Sequence, residues 1–297
     1  MQLRPVLLAL GIMTVLLAGA MVPCALLDLA DGSDEAHVFW FSSFASGLVG
    51  CLLWVLARGG DTRIGQRETF LLTVSVWMLV PAVAAVPFLV SGVSFTDSIF
   101  EAVSGLTTTG ATVLSGLDTM PRGLLLWRGI LQWIGGIGIV VTAVAILPQL
   151  RVGGMQLFQL ESSDITGKFL PRIKDIAAYM GLTYLIISSA CAFSYSLAGL
   201  NWFDAIVHAM STVSAGGFAN YDASFGHENL QPAMAPAIFF MVVAGLPFSL
   251  LAMLVLQGRI RPMLRDPQPR LYFGHLYALQ AGLSAEGSRE TLLLIGG

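Results

Sequence analysis

The stretch Ser104-Gly105-Leu106-Thr107-Thr108-Thr109-Gly110-Ala111-Thr112 determines how the rest of this chain is organised. It is rich in hydroxyl groups and glycine, yet long apolar segments flank it on both sides. The segment directly before it, 97–103, is too short to cross a bilayer as a helix. Because unpaired backbone groups are costly in lipid, such a polar turn survives at membrane depth only inside protein or along a water-filled path. One use of such a turn is to surround a cation with carbonyl and hydroxyl oxygens.

The composition is that of an integral membrane protein. Of the 297 residues, 56% are hydrophobic and only 11% are charged, and the mean hydropathy is +0.78. A soluble domain usually carries about a quarter charged residues. Cys24, Cys51 and Cys191 are far apart in the sequence, without a CxxC or Cys/His cluster, so we interpret them as packing residues. No Ser/His/Asp or Cys/His arrangement indicates an enzyme.

Six apolar segments are long enough to span a bilayer as helices, so the predicted fold class is an all-α integral membrane protein. These segments are 6–29, 38–57, 70–93, 124–147, 176–200 and 232–257. Pro81 and Pro87 predict kinks in the third of them.

Positive charge is distributed unevenly between the two sides of the predicted bundle. With the N-terminus in the cytoplasm, 12 of the 15 Lys and Arg residues lie in cytoplasmic segments, as the positive-inside rule requires. They are Arg4, Arg58, Arg63, Arg67, Arg151, Lys168, Arg172, Lys174, Arg259, Arg261, Arg265 and Arg270. Both polar turns then open to the outside, where acidic loops would concentrate cations. Topology alone explains those acidic loops equally well.

A second short segment, 203–210, and a second polar turn, 211–218, follow the first pair at a constant shift along the chain, here called the repeat offset. At the repeat offset Asp97 falls on Asp204, Ala102 on Ala209, Ser104 on Ser211, and Gly110 on Gly217. The shared context predicts a span–pore-helix–turn–span unit that occurs twice. The predicted organisation is two transmembrane helices in 1–66, a first unit in 67–150, a cytoplasmic or interfacial connector in 151–175, a second unit in 176–258, and a basic loop with an incomplete segment in 259–297.

The residue types in the two turns favour potassium over divalent cations or protons. Hydroxyls from Thr107, Thr108, Thr109 and Ser214 add oxygen ligands without adding charge. Glycine permits the backbone angles that would direct carbonyl groups inward. A divalent-cation or proton site would more naturally use carboxylates in the turns, and the turns contain none.

Five segments together carry a family resemblance. They are SGLTTTGAT at 104–112, LQWIGGIGI at 131–139, AILP at 145–148, VGGMQL at 152–157 and GGFANYDAS at 216–224. The chain resembles the membrane subunit of the Trk/Ktr potassium-uptake family, Trk type, from its N-terminus to about Tyr272. The resemblance implies a multi-pass protein of the bacterial inner (plasma) membrane, with potassium-channel-like units around one potassium-selective pore.

The resemblance also implies site residues and partners. The selectivity filter would be formed by Thr108, Thr109, Gly110, Ala215, Gly216 and Gly217, and supported by Thr107, Ala111, Ser214 and Phe218. The family usually forms homodimers and works with a cytoplasmic nucleotide-binding regulatory subunit. It implies potassium as the transported ion, and we expect no cofactor, no other metal and no nucleic-acid partner.

The resemblance covers two of the four units that the family places around its pore. Two turns cannot encircle an ion, so we expect the chain to be the front half of such a transporter. The alternative is a truncated, non-conducting membrane fragment or interaction protein derived from one.

Four other features receive structural interpretations. We expect Arg128 to snorkel to the interface or to pair with an acidic residue such as Asp118. His208 is expected to be buried and hydrogen-bonded, and Gly135-Gly136-Ile137-Gly138 to allow close helix packing. Asp97 and Asp204 are predicted to cap the N-termini of the two short helices.

Overall fold

The computed structural model describes residues 3–59, 65–150 and 169–278, and these residues form helices and loops without a β-strand. The helices are α1 (Arg4–Ala30), α2 (Ala36–Leu56), α3 (Gln66–Ala84), α4 (Val86–Val90), α5 (Phe95–Leu106), α6 (Arg122–Leu150), α7 (Phe169–Leu197), α8 (Trp202–Val213), α9 (Met234–Ala244), α10 (Phe248–Gln257) and α11 (Arg261–Arg265), and residues 267–278 are also helical. The all-α prediction is confirmed. Most of the predicted connector, 151–168, and the last part of the predicted C-terminal segment, 279–297, lie outside the described residues.

Several helices are long and apolar enough to cross a membrane. Within the described part of the chain they are Arg4–Ala30, Ala36–Leu56, Arg67–Val90 and Ala178–Leu197. A further pair, Glu228–Ala244 with Phe248–Gln257, meets the same criteria only when the two pieces are taken together. The chain is therefore a multi-pass membrane protein.

Proline residues interrupt two of the predicted spans. In the third span α3 ends and α4 begins at Ala85, with Pro87 in the first turn of α4, and the kinks expected at Pro81 and Pro87 stay predictions. The segment predicted as the sixth span, 232–257, is broken, because α9 ends at Ala244 and α10 begins at Phe248. Pro247 directly before α10 has no N–H to continue the helix, and a Cβ at Gly245 would overlap the Tyr272 side chain.

The described chain divides into two compact units, one of residues 1–139 and 188–240 and the other of residues 140–187 and 241–297. Both polar turns belong to the first unit. Trp127 of α6 is fully buried in the apolar core of this unit. Its ring packs edge-on against Phe39 of α2 at 6.3 Å between centroids, and its indole N–H donates to the Ala84 carbonyl at 3.0 Å. Burial of an aromatic side chain of this size contributes up to about 3 kcal/mol, so Trp127 fixes α6 against α2 and α3.

Small residues bring helices of the first unit into close contact. A Cβ at Gly11 of α1 would lie 2.8 Å from the Gly50 carbonyl oxygen of α2, so the two helices meet with their backbones nearly touching. A Cβ at Gly135 of α6 would overlap the carbonyl group of Leu106, the last residue of α5. Close packing was predicted for this glycine motif, and Gly135 confirms it.

Polar contacts attach the N-terminal helices to the start of α6. The buried Asp28 carboxylate at the end of α1 accepts a hydrogen bond from the Gly123 N–H at 2.7 Å. Arg122 forms an ion pair with Asp31, in which its Nε donates at 2.6 Å. Because Gly123 lies in the first turn of α6, Asp28 also satisfies one of the helix N–H groups that have no partner within the helix.

Candidate functional site

The two short helices, α5 and α8, have the same length and the same type of N-terminus. Each has 12 residues. Ser94 caps α5 by accepting from the Asp97 N–H at 3.2 Å, and Asn201 caps α8 by accepting from the Asp204 N–H at 2.9 Å. The prediction that Asp97 and Asp204 are the caps is therefore wrong by three positions. Their carboxylates accept hydrogen bonds back from the cap side chains, at 2.8 Å from Ser94 and 2.6 Å from Asn201, so each cap and its aspartate bond reciprocally.

Both helices also end in the same way. At the end of α5, the Thr108 N–H donates to Gly105 O at 3.0 Å, and the Thr109 N–H donates to Ser104 O at 3.0 Å. At the end of α8, the Ala215 N–H donates to Thr212 O at 3.0 Å, and the Gly216 N–H donates to Ser211 O at 2.9 Å. Each donor and each acceptor of the first turn is related to its counterpart in the second by the repeat offset. The backbone therefore repeats the hydrogen bonds of the helix end, and not only the residue types.

The predicted filter residues contain paired backbone conformations that are rare outside glycine. Thr108 has φ of 55° and Ala215 has φ of 54°, and two residues later Gly110 and Gly217 have φ of 77° and 85°. Among the described residues only Ser224 shares a positive φ without being glycine. A non-glycine residue in the left-handed region costs about 1–2 kcal/mol, and such strain concentrates at functional sites.

The structure brings the two turns, 107–110 and 214–217, into direct contact. A Cβ at Gly110 would overlap the carbonyl oxygen of Gly216, so glycine is required at position 110 by space as well as by φ. Thr109 and Gly217 are exposed and Gly216 is buried. All six predicted filter residues thus lie in two adjoining turns at the ends of α5 and α8.

The supporting residues divide into two kinds. Hydroxyls of Thr107 and Ser214 donate to carbonyls of the preceding helix, Val103 at 2.8 Å and Ser211 at 2.9 Å, and so stabilise the helix ends. Thr107 also shares a 2.7 Å hydrogen bond with the Thr109 hydroxyl.

Ala111 and Phe218 follow the two turns. Ala111 is exposed, and its carbonyl accepts from the Ser104 hydroxyl at 2.6 Å, which ties the chain after the first turn back to α5. Phe218 is buried directly after the second turn. These contacts give both residues a supporting position beside the turns.

A buried carboxylate lies behind the first turn. Glu101 of α5 is fully buried and accepts from the Thr112 hydroxyl at 3.0 Å and from the Val113 N–H at 3.3 Å. Its Oε1 forms an ion pair with Arg128 Nε at 2.7 Å, and the Arg128 side chain is 1% exposed. The expectation that Arg128 pairs with an acidic residue is confirmed, but the partner is Glu101 and not Asp118, because α5 and α6 pack closely and bring Glu101 within reach. Sequence analysis missed Glu101, although a carboxylate on a short apolar helix is itself a functional signal.

A neutral histidine occupies the matching position behind the second turn. His208, which the repeat offset relates to Glu101, is fully buried, and its Nδ1 lies 2.8 Å from the Asp204 carbonyl oxygen. Its Nε2 accepts from the Asn220 N–H at 3.3 Å, just as Glu101 accepts from the N–H of Val113. We assign the tautomer with a proton on Nδ1 from these two partners. The prediction of a buried, hydrogen-bonded histidine is confirmed.

Carboxylates also join the loops beyond the turns. Asp204 accepts from the Asn220 side chain at 2.7 Å and from the Tyr221 hydroxyl at 2.7 Å. Burial, and then the hydrogen bond to Asp204, raises the pKa of Tyr221, so its hydroxyl stays protonated as a donor. Asp222 accepts from the N–H groups of Gly116 and Leu117 at 2.9 and 3.1 Å, which connects the loop after the second turn to that after the first.

A cavity of about 160 Å³ borders both turns and the loops beyond them. Its lining includes Gly110, Thr112, Arg128, Gly217, Phe218 and Asp222. The cavity therefore gives access to the predicted filter residues of both turns.

Comparison with known proteins places the chain in a family. The family model of TrkH, a cation transport protein, matches residues 35–277. The chain belongs to the TrkH family. It is 36% identical over 284 residues to the Trk system potassium uptake protein TrkH of Escherichia coli strain K12, which covers 94% of this chain and 59% of that relative. It is 38% identical over 267 residues to the Trk system potassium uptake protein TrkI of Halomonas elongata, covering 89% of this chain and 54% of the relative.

A solved structure shows the same fold. The crystal structure of the potassium transporter TrkH from Vibrio parahaemolyticus superposes with a TM-score of 0.82 at 34% identity, over 92% of this chain and 56% of that chain. The chain thus spans a little over half the length of these TrkH-family proteins. The family predicted from the sequence segments, and the helical membrane fold that it implied, are confirmed.

Proposed function

We propose that this chain forms two sides of a potassium-selective pathway in a transporter of the TrkH family. The observation that carries the proposal is the pair of adjoining turns with matched left-handed residues at Thr108 and Gly110 and at Ala215 and Gly217. Relatives named as potassium uptake proteins, at 36% and 38% identity, support potassium as the ion.

Main-chain oxygens are the proposed ligands. A left-handed residue within an extended segment turns the following peptide over, so that successive carbonyl groups can face one side. The proposed filter residues are Thr108, Thr109 and Gly110 in the first turn and Ala215, Gly216 and Gly217 in the second. The C-terminal ends of α5 and α8 carry partial negative charge close to both turns, which favours a cation there.

The family resemblance supplies the rest of the proposal. Segments 67–150 and 176–258 act as two pore-forming units, following two transmembrane helices in 1–66. The N-terminus is cytoplasmic, and the protein lies in the bacterial inner membrane. We further propose a homodimer and a cytoplasmic nucleotide-binding regulatory subunit, with transport rather than enzymatic catalysis and without a cofactor. The excess of Lys and Arg in the predicted cytoplasmic segments supports this orientation.

Rubidium uptake tests the proposed function. The protein encoded by the natural reading frame that contains this chain is purified and reconstituted in liposomes, and uptake of rubidium is measured with competing potassium or sodium. We expect potassium to compete and sodium to compete at least tenfold less well. Absent uptake would favour a non-conducting membrane protein, and equal competition by the two ions would exclude a potassium filter.

A further inference from the structure

Two buried polar side chains of α6 hold the segment that follows the second turn. Arg128 donates from a terminal guanidinium nitrogen to the Ala219 carbonyl oxygen at 2.8 Å, and its guanidinium carbon lies 4.2 Å from the centre of the Phe218 ring. Gln132, one helical turn further along α6, accepts from the Phe218 N–H at 3.1 Å. A helix that follows the first turn therefore contacts the main chain after the second turn at two successive residues.

The same arginine is connected to the first turn through Glu101. Glu101 accepts from Thr112 and Val113, which follow the first turn, and from Arg128. One series of hydrogen bonds thus runs from the chain after the first turn, through Glu101 and Arg128, to Ala219 after the second. Glu101 is 0% exposed and Arg128 is 1% exposed, so water screens these contacts little.

Gln132 also lies where the two turns meet. A Cβ at Gly216 would lie 2.6 Å from the Gln132 amide nitrogen, and a Cβ at Gly110 would lie 3.6 Å from it. The side chain is fully buried, and this nitrogen has no hydrogen-bond partner among the described residues. Gln132 therefore occupies the space beside the two glycines that bring the turns together.

Helix packing also has support outside this polar network. Trp127 and Gly135 already fix α6 in the apolar core and against α5. A buried ion pair adds little net stability relative to apolar residues of the same volume, because desolvation offsets the attraction of the charges. The network instead holds the segments after the two turns at a fixed distance from each other, because the planar guanidinium of Arg128 directs its donors at set angles.

We propose that Glu101, Arg128 and Gln132 are positioning residues that set the spacing of the two filter turns and thereby the discrimination between potassium and sodium. The inference rests on the proposed function. Discrimination by a ring of carbonyl groups depends on the number and placement of the oxygens around the ion. A change in the distance between the turns would therefore alter selectivity before it altered insertion or folding.

Three variants separate a positioning role from a structural one. Arg128→Lys keeps the charge, but a single ammonium cannot reproduce the fork that reaches both Glu101 and Ala219. The double variant Glu101→Gln with Arg128→Gln removes both charges and leaves neither one unpaired. Gln132→Met retains the side-chain length and removes the acceptor for Phe218. Arg122→Lys is the matched control, since Arg122 lies on the same helix and pairs with Asp31, away from the turns.

The readouts are the amount of protein in the membrane and the ratio of potassium to sodium competition against rubidium uptake. We expect each of the three variants to lower this ratio by about fivefold, as the loss of one hydrogen bond of about 1 kcal/mol would. The control should keep the ratio of the unmodified chain. If Arg128→Lys and the double variant fail to reach the membrane, Gln132→Met decides the question without a change of charge.

An unchanged ratio in every variant that reaches the membrane would overturn the inference, even if the uptake rate falls. This result is distinct from failure of the proposed function, in which the unmodified chain itself shows no potassium selectivity. A ratio that falls equally in Arg122→Lys would also overturn it, because the effect would then belong to α6 as a whole.

Discussion

The two polar turns share one backbone and differ in what lies behind them. Helix length, the hydrogen bonds at the helix end and the left-handed residues all recur at the repeat offset. Behind the first turn the N–H of Val113 is held by a charged Glu101, and behind the second the N–H of Asn220 is held by a neutral His208. The turn geometry therefore does not depend on the chemistry of its support, only on an acceptor at that place.

Glu101 and His208 make different demands on the neighbouring helix α6. Glu101 requires a positive partner, and Arg128 of α6 provides it while also reaching the second turn. His208 needs no ion pair, and its second nitrogen is satisfied within α8 by the Asp204 carbonyl. The first turn is therefore coupled to α6 by an ion pair, whereas the second is joined to α6 through the uncharged main-chain groups of Phe218 and Ala219.

Removing each support tests this difference most strongly. Glu101→Ala leaves Arg128 buried without a counter-charge, which should lower the free energy of unfolding by about 3–5 kcal/mol. His208→Ala loses hydrogen bonds and leaves a cavity without stranding a charge, at a cost of about 2 kcal/mol. Thermal unfolding of the two variants in detergent measures both. Equal losses would contradict the view that removal of Glu101 leaves a buried charge without a partner, whereas removal of His208 does not.

The two aspartates near the helix starts differ in a comparable way. Asp97 is half-buried, and within the described part of the chain its hydrogen bonds join it only to its cap, Ser94. Asp204 is 3% exposed and joins Asn201, Asn220 and Tyr221. We expect Asp204→Ala to cost about 2–3 kcal/mol and Asp97→Ala about 0.5–1 kcal/mol.

The same unfolding assay compares the two aspartate variants. Asp204→Asn serves as the control, because it retains the shape of the side chain and one acceptor for Tyr221. If Asp97→Ala proved the more harmful change, the loop network around Asp204 would have no stabilising role.

Sequence patterns predicted the helical membrane fold, the matched pair of turns and the family, because apolar length, hydroxyl-rich turns and glycine leave a local signature. They placed the caps at Asp97 and Asp204, because an aspartate in the first turn resembles a cap when the position of the helix start is uncertain. They missed the pairing of Glu101 with Arg128, since these residues lie on different helices and a loop of unknown path separates the two in the sequence. Only the packing of α5 against α6, made possible by Gly135, brings them together.

The break before α10 had a sequence signal that composition outweighed. Gly245 and Pro247 lie within a segment whose apolar length is sufficient for a complete span. A proline in such a segment can either kink a continuing helix or end it, and periodicity does not distinguish the two. The contact between Gly245 and Tyr272 is what the sequence could not show, because Tyr272 belongs to a later helical segment beyond α10 and α11.

The glycines of the two turns provide the finest comparison. Both have a positive φ, so any side chain is strained by about 1 kcal/mol at either position. The space around the two glycines differs. A Cβ at Gly110 would overlap the Gly216 carbonyl oxygen, while a Cβ at Gly217 meets nothing within 4 Å. Gly110→Ser must therefore displace a proposed ligand of the second turn, whereas Gly217→Ser strains only the backbone of residue 217.

We expect Gly110→Ser to reduce the discrimination between potassium and sodium by about tenfold or more, and Gly217→Ser by about threefold, since about 1.4 kcal/mol corresponds to a factor of ten. Competition against rubidium uptake measures both, with Gly199→Ser as a control at a glycine that has a positive φ but lies outside the turns. Unchanged discrimination in both variants would remove these turns from the filter. A larger effect at Gly217 would mean that the contact between Gly110 and Gly216 does not hold the two turns in register, and that each turn binds the ion on its own.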